Sequence, residues 1–273
     1  MKNTYTLDYG MLKFISKHAG LNQLSYDIAQ GMESLTLPHK VIVFCGIHKK
    51  QGINWFRSGF KLGIQTEQFL DPNGIEVAPG SKRDNYKKNI IYALEKLHVI
   101  LDINASNYKF YQSLEIWPKI KNKIVFGPRI FPNFEVKYKE PINDKYIFFG
   151  SISNSRRGPV IEELRKKYPV DIESNLFGKQ LHDCSSKYKA IINVHYFEAI
   201  YSEAPRILTS YLSGKPTISE TLCPIFECGK HYIHINDDSF SNLERSKLKN
   251  THQELGKYVT QKYSFEGFLR SVI

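Results

Sequence analysis

Apolar residues recur along the chain with two spacings, one typical of helices and the other of buried strands. Between Leu21 and Leu35 they return every three or four positions, which predicts a helix with one buried face. The run 40–46 is almost continuously apolar and ends at a glycine. Such a run is typical of a strand in a parallel sheet that is covered on both faces.

The two signals alternate through the first half of the chain. Strands are predicted at 11–16, 40–46, 61–65, 98–102 and 123–127, and helices at 21–35, 84–97 and 106–114. Asp84 is the predicted N-cap of the second helix. Strands and helices in this order predict a doubly wound α/β domain.

A proline-containing segment with Pro128, Pro132 and Pro141 interrupts the alternation, and we interpret it as a linker. The alternation then resumes. Strands are predicted at 146–150, 170–173, 190–194 and 216–219, and helices at 160–167, 203–212 and 251–273, the last with a break at 263–265.

The predicted fold class is therefore α/β, with two Rossmann-like doubly wound domains facing a cleft. The domains are predicted at 1–131 and 145–250, with a linker at 132–144 and a tail at 251–273 that packs back.

Composition excludes several other classes of protein. The 273 residues are 41% hydrophobic and 24% charged, which indicates a folded chain and not a disordered one. The sequence contains no apolar run of about 20 residues and no apolar core of a secretory signal near its start. The four cysteines are scattered, which favours reduced thiols and a cytoplasmic location, bacterial or that of a phage host. Cys223 and Cys228 lack a second ligand pair, so we predict no metal site.

The formal net charge of +11 favours an anionic partner such as a nucleotide, a nucleic acid or a phospholipid surface. Clusters such as the one at 119–123 are also compatible with solvated lysine-rich faces.

The segment 148–159 combines a strand end with a loop of small residues and the start of a helix. Backbone N–H groups of Gly150, Ser151 and Ser153 could bind phosphate oxygens there. Arg156 and Arg157 would add fixed positive charge in a geometry suited to phosphate. The alternative is a polar loop with solvated arginines.

A second polar cluster follows the predicted strand 190–194, at the strand end where α/β sheets bind ligands. It contains His195, Tyr196, Glu203 and Arg206. Glu203 and Arg206 are three residues apart, so a surface ion pair is the alternative interpretation. Glu220 ends the predicted strand 216–219 and should lie near the other two segments.

In this order the segments resemble the C-terminal domain of GT-B glycosyltransferases, in a bacterial and phage subgroup related to the spore-maturation-type and glycosyltransferase group 1 families. The shared pattern is a strand–Gly–Ser loop with Arg, then Asn-x-His-Tyr, Glu-x-x-Arg and Gly-x-Pro-x-x-Ser-Glu, over about residues 146–220. In the first half, Gly20–Asn22 is similar to a glycine loop. Thr209 stands where group 1 enzymes have a second glutamate, and Glu220 is its candidate replacement as the ribose ligand.

The resemblance implies a nucleotide-sugar donor, which is a substrate, with no cofactor and no metal. The donor diphosphate would lie over the Gly150 loop, and Arg156 and Arg206 would stabilise the leaving group. One residue of the first domain would be the base, with His18, His48 and Glu67 as candidates.

The acceptor is open between a hydroxylated base in phage-type DNA and a bacterial envelope glycan at an anionic membrane surface. Basic and aromatic residues interleave in a way that suits either partner. Two other functions also fit this architecture, a nucleotide-sugar-binding protein without turnover and an epimerase.

Overall fold

The computed structural model describes residues 4–32, 35–51, 58–77, 81–153, 156–236 and 243–273. The chain forms two compact units, one of residues 1–133 with 262–273, the other of residues 134–261. Each unit contains a largely or wholly parallel sheet with helices, so the predicted α/β class with two Rossmann-like units is confirmed. The predicted cleft stays a prediction.

The sheet of the first unit has six strands, arranged in chain order. They are β1 (Tyr5–Tyr9), β2 (Leu12–Ser16), β3 (Val41–Cys45), β4 (Phe60–Gln65), β5 (Val99–Asp102) and β6 (Ile124–Phe126). β1 pairs antiparallel with β2, and the other pairs are parallel. All five residues of β3 are buried, as its apolar run predicts. Because the strand order never reverses, this sheet has no topological switch point.

The first unit contains the helices α1 (Ala19–Ala29), α2 (Ser81–Lys96), α3 (Tyr108–Gln112) and α4 (Trp117–Ile120). Three sequence predictions need correction here. α1 ends well before Leu35, because Gly31 has a φ of 78° that a helix cannot continue through. Gly20 lies inside α1 and therefore forms no glycine loop. α2 begins at Ser81, so Asp84 is in its first turn and not its N-cap.

The second unit has a five-stranded parallel sheet with the order β11-β10-β9-β7-β8. The strands are β7 (Tyr146–Phe149), β8 (Val170–Glu173), β9 (Ile191–Asn193), β10 (Thr217–Ser219) and β11 (Ile233–His234). The chain moves outward from β7 to β8 and then returns to the other side of β7. This reversal makes the gap between the carboxyl ends of β7 and β9 a topological switch point, where open α/β sheets bind ligands.

The helices of the second unit are α5 (Arg157–Lys167), α6 (Gly178–Ser185), α7 (Ala204–Leu212) and α8 (Arg245–Lys262). The final helix, α9 (Phe265–Val272), belongs to the first unit, and Ser264 caps it by accepting a hydrogen bond from Gly267 N at 2.9 Å. The sequence predictions lacked β1, α4, α6 and β11, and they placed the start of α8 at Thr251.

The contacts of the segment after Asn133 differ from those expected of a linker at 132–144. Val136 N donates to the hydroxyl of Tyr211 at 2.8 Å, and the ring of His252 binds Val136 O at 2.9 Å. These bonds attach the segment to α7 and α8, so it belongs to the second unit from Phe134 onward. Residues 251–261 of the predicted tail 251–273 lie in α8 and belong to the second unit, and residues 262–273 return to the first unit.

Candidate functional site

The loop after β7 begins at the switch point with Gly150, whose φ is 119°. A side chain is strained in this conformation, and its Cβ would lie 3.2 Å from Nη1 of Arg206. Gly150 N donates to Glu173 O at 2.7 Å, which fixes the start of the loop. A glycine here lets the guanidinium of Arg206 approach the backbone directly.

Arg206 lies in the first turn of α7 and extends to the end of β7. Its Nη2 donates to Phe149 O at 2.6 Å, and its Cζ lies 4.4 Å from the ring centroid of Phe149. Its Nε is buried without a hydrogen-bond partner among the described residues. Burial and, to a smaller extent, the positive charge of Arg157 lower the pKa of Arg206 to about 10, against the opposing effect of Glu203. The guanidinium therefore keeps its charge at neutral pH and retains an unused donor.

Glu203 precedes α7 in a left-handed conformation, with φ of 46° and ψ of 23°. It is the one non-glycine residue with positive φ among those the structure describes. Its backbone carbonyl accepts from Arg206 N at 2.9 Å and Ile207 N at 3.0 Å. No side-chain ion pair joins Glu203 to Arg206, so the surface ion pair that their spacing suggested is not formed. Strained backbone of this kind is concentrated at functional sites.

Arg157 begins α5 and reaches the end of β9, where its Nε donates to Val194 O at 2.8 Å. Its Cζ lies 5.2 Å from the ring centroid of Tyr196, which is exposed. Burial lowers the pKa of Arg157, while Glu203 and Tyr196 raise it. Arg157 and Arg206 thus place two cations at the carboxyl ends of β9 and β7.

Arg156 has a different environment, because the carboxylate of Glu220 neutralises it. Its Nη1 donates to Glu220 Oε2 at 3.0 Å and to His195 O at 2.8 Å, and its Nη2 pairs with Glu220 Oε1. The backbone N–H of His195 donates to the same Oε2 at 2.7 Å. Glu220 therefore lies beside His195, as its position at a strand end predicts.

The pKa values of this pair follow from these contacts. The hydrogen bonds that Arg156 donates to Glu220 raise the pKa of Arg156, and burial opposes this effect. Burial acts to raise the pKa of Glu220, but the Arg156 hydrogen bond and the His195 N–H outweigh it, and the net direction is downward. Both groups are charged at neutral pH.

The remaining predicted residues of this unit surround the same edge. The ring of His195 is buried, with Nδ1 at 2.9 Å from Ala199 O and Nε2 without a partner among the described residues. Ser151 and Ser153 are exposed, and their hydroxyl oxygens lie 2.7 Å apart. Asn154 and Ser155 lie outside the described residues.

In the first unit, the three candidate bases follow three adjacent parallel strands. His18 follows β2 and caps α1 by accepting from Leu21 N at 3.3 Å. His48 follows β3 and is fully buried, with Nε2 at 3.2 Å from Oε1 of Glu67, which follows β4. Burial lowers the pKa of both histidines, and the charge of Lys49 adds to the effect. Glu67 has a side chain that is 39% exposed.

Asp102, at the end of β5, is a residue of this edge that the sequence analysis did not select. It is fully buried and accepts from Asn104 N at 2.8 Å, from Asn107 Nδ2 at 3.0 Å and from the hydroxyl of Tyr111 at 2.9 Å. Burial raises its pKa to about 7, against the effect of these hydrogen bonds. An aspartate at the last position of a buried strand was the available signal.

Within the described ranges, no group of three His, Cys, Asp or Glu side chains is arranged to hold a metal ion. None of the helices described combines the length and apolarity needed to cross a bilayer.

No protein-family model matches the sequence, and no curated protein is similar to it. Among solved structures, the chain is similar to T4 phage BGT in complex with its UDP-glucose substrate, at 12% identity and a TM-score of 0.42, over 93% of each chain. T4 phage BGT in complex with UDP and Mn²⁺ has 11% identity and a TM-score of 0.43, over 85% of this chain and 82% of that one. An α1,3-fucosyltransferase has 14% identity and a TM-score of 0.33, over 97% of this chain and 78% of that one. These structural neighbours are glycosyltransferases.

Proposed function

We propose that the chain is a glycosyltransferase of the GT-B architecture, which transfers a sugar from a nucleotide-sugar donor to an acceptor hydroxyl. The observation that carries the proposal is the position of Arg206. Its guanidinium lies at the switch point against Phe149 O, with a buried Nε that has no partner among the described residues and with no side-chain ion pair to Glu203. A cation held in this way suits an anionic ligand such as a diphosphate.

Three features of the same edge support a diphosphate over other anions. Arg157 adds a second cation, and the exposed loop 151–153 lies directly after Gly150. α7 is nine residues long and begins beside Arg206, so its N-terminal dipole favours negative charge. Together they provide positive charge for more than one phosphate group.

The reaction follows from this charge distribution. The acceptor oxygen bonds to the anomeric carbon while the bond from that carbon to the donor phosphate oxygen breaks. The electron pair of the broken bond stays on the nucleoside diphosphate. Arg157 and Arg206 stabilise the negative charge that grows there, so their effect is greater in the transition state than in the ground state.

We propose that Glu67 is the general base that accepts the proton of the acceptor hydroxyl. His48 is fully buried, and His18 uses Nδ1 to cap α1. Glu67 combines a partly exposed carboxylate with a fixed neighbour, the Nε2 of His48 at 3.2 Å. A base must reach the hydroxyl whose proton it accepts, which favours the partly exposed Glu67 over the buried His48. His18 is exposed, but its Nδ1 is engaged at the start of α1.

The test of the proposed function is a panel of nucleotide-sugars, each scored for thermal shift and for release of the nucleoside diphosphate. We expect one class of donor to raise Tm and to be hydrolysed slowly without an acceptor. No shift and no release with any donor would contradict the proposal. A shift without turnover would indicate a binding protein, and an isomerised nucleotide-sugar would indicate an epimerase.

The acceptor belongs to one of the two classes that the charge of +11 favours, a hydroxylated base in DNA or an envelope glycan at an anionic membrane surface. Salt titration of binding to duplex DNA separates them. A DNA acceptor predicts affinity that falls steeply and linearly in a log–log plot against salt concentration. Binding to anionic vesicles without binding to DNA favours the glycan.

A further inference from the structure

The carboxylate of Glu220 is surrounded by the donors that a phosphate group would use. The planar guanidinium of Arg156 offers two N–H groups to it, and the backbone N–H of His195 offers a third at 2.7 Å. Arginine forks and backbone N–H groups at a strand end are common phosphate ligands. Glu220 thus fills an oxyanion site within the edge where the arginines lie.

We propose that Glu220 occupies a phosphate subsite made by Arg156 and the His195 N–H, and that a phosphate of the ligand displaces it. The ligand's identity as a nucleotide-sugar rests on the proposed function, while the exchange itself requires only a phosphate. Glu220 then competes with the phosphate for Arg156 and the His195 N–H. As a ribose-binding residue it would instead favour binding of the nucleotide.

A cavity of about 730 Å³ provides room for the displaced side chain. Glu220 itself lines this cavity, together with polar groups of Thr221, His234 and Asn236 and the cation Lys167. The side chain of Glu220 is 19% exposed, so it is not enclosed by packing. A rotation about its own side-chain bonds could move the carboxylate from Arg156 toward polar partners and solvent.

The exchange also has an electrostatic reason. A diphosphate carries at least two negative charges where the carboxylate carries one, and Arg156, Arg157 and Arg206 lie at the same sheet edge. Without ligand, the Glu220 carboxylate lowers the mutual repulsion of these cations. When a phosphate binds, it takes over this role and Glu220 becomes an excess negative charge.

The competition has a measurable cost in affinity. If the Arg156–Glu220 pair is closed about nine-tenths of the time, the apparent Kd is about tenfold weaker than the intrinsic one. Glu220→Gln removes the negative charge and keeps the side-chain shape. We therefore expect this variant to bind inorganic pyrophosphate about tenfold more tightly than the wild type, measured by calorimetry without metal.

Glu163→Gln is the matched control, because Glu163 lines the same cavity but pairs with the exposed Lys166. Its affinity for pyrophosphate should equal that of the wild type. Unchanged or weaker binding by Glu220→Gln would overturn the exchange. Unchanged pyrophosphate affinity with weaker nucleoside diphosphate binding would instead make Glu220 a ribose ligand.

A second measurement uses the wild-type chain in case Glu220→Gln does not fold. A crystal structure with pyrophosphate should show the Arg156–Glu220 pair open and the carboxylate in the cavity, and an intact pair would overturn the proposal. Tighter binding by Glu220→Gln in a protein without transferase activity would refute only the proposed function. Transferase activity without tighter binding would refute only the exchange.

Discussion

The side-chain amide of Asn107 lies 3.0 Å from Oδ2 of Asp102 and holds the backbone carbonyl of Glu67 at 2.8 Å. The carbonyl oxygen of the same side chain accepts from Phe69 N at 2.7 Å. Asp102 therefore orients Asn107, and Asn107 fixes the loop that carries Glu67.

Asp102→Asn is expected to destabilise the first unit by about 1–3 kcal/mol, because buried donors lose their acceptor. The kcat for acceptor transfer should fall, while the Kd of the donor should not change, since the proposed donor site lies in the second unit. Chemical unfolding and donor calorimetry measure the two effects. Equal stability and equal kcat would contradict the positioning role.

The pH dependence of this variant supplies a further check. Burial raises the pKa of Asp102 from 3.8 to about 7, so between these values the folded state binds more protons than the unfolded state. The stability contributed by this group is therefore lost as pH rises through that window. The unfolding free energy of the wild type should fall with pH relative to Asp102→Asn, and a constant difference would show that Asp102 is ionised throughout.

The burial of Lys215 predicts that the free energy of unfolding rises with pH in a higher pH range, opposite to the effect of Asp102. It is fully buried, and burial lowers its pKa from 10.5 to about 8, with Glu140 opposing and Lys139 adding. Between these values the folded state binds fewer protons, so stability should rise with pH, by up to about 1.4 kcal/mol per pH unit. Lys215→Met should lose this slope, and the exposed Lys187→Met should keep it. Identical slopes in wild type and Lys215→Met would refute the prediction.

Glu67→Gln tests the assignment of the base. Loss of general-base catalysis is expected to lower kcat for acceptor transfer by about 10²–10⁴. Donor Kd should be unchanged, because only the acceptor proton is affected. Glu115→Gln, exposed in the same unit, is the control and should behave as the wild type. Transfer at the wild-type rate would exclude Glu67 and return the role to His18 or His48.

Turnover is expected to persist in excess chelator. The physical reason is that Arg157 and Arg206 already supply positive charge where the leaving diphosphate would gain negative charge. The measurement is the transfer rate before and after dialysis against EDTA. Activity that disappears with chelator and returns with Mn²⁺ or Mg²⁺ would show that a metal carries part of this charge.

The strands that form the site could be predicted from sequence because their signal is local. β7 and β9 are short apolar runs that end at Gly150 and Asn193, and both are buried. Ligands usually bind at the carboxyl ends of strands in α/β sheets, so these strand ends predicted that Arg206 lies near the loop after β7.

The pairing within the site could not be predicted in the same way. Arg156 and Glu220 are 64 residues apart, and they meet only because β9 lies between β7 and β10. The order of strands in a sheet depends on tertiary packing, and the alternation of helices and strands along the sequence does not encode it. The left-handed backbone of Glu203 is also invisible in the sequence, because that conformation is rare for a glutamate.

The central claim is that Arg206 holds the donor diphosphate, and the most direct test is kcat/KM of Arg206→Ala with the donor found in the panel. We expect a loss of about 2–4 kcal/mol, by comparison with removal of an oxyanion donor, which is about 30- to 900-fold in rate. Arg165→Ala, which removes an exposed arginine paired with Glu162, should stay at the wild-type value. An Arg206→Ala protein that folds normally and turns over within about threefold of the wild type would contradict the account.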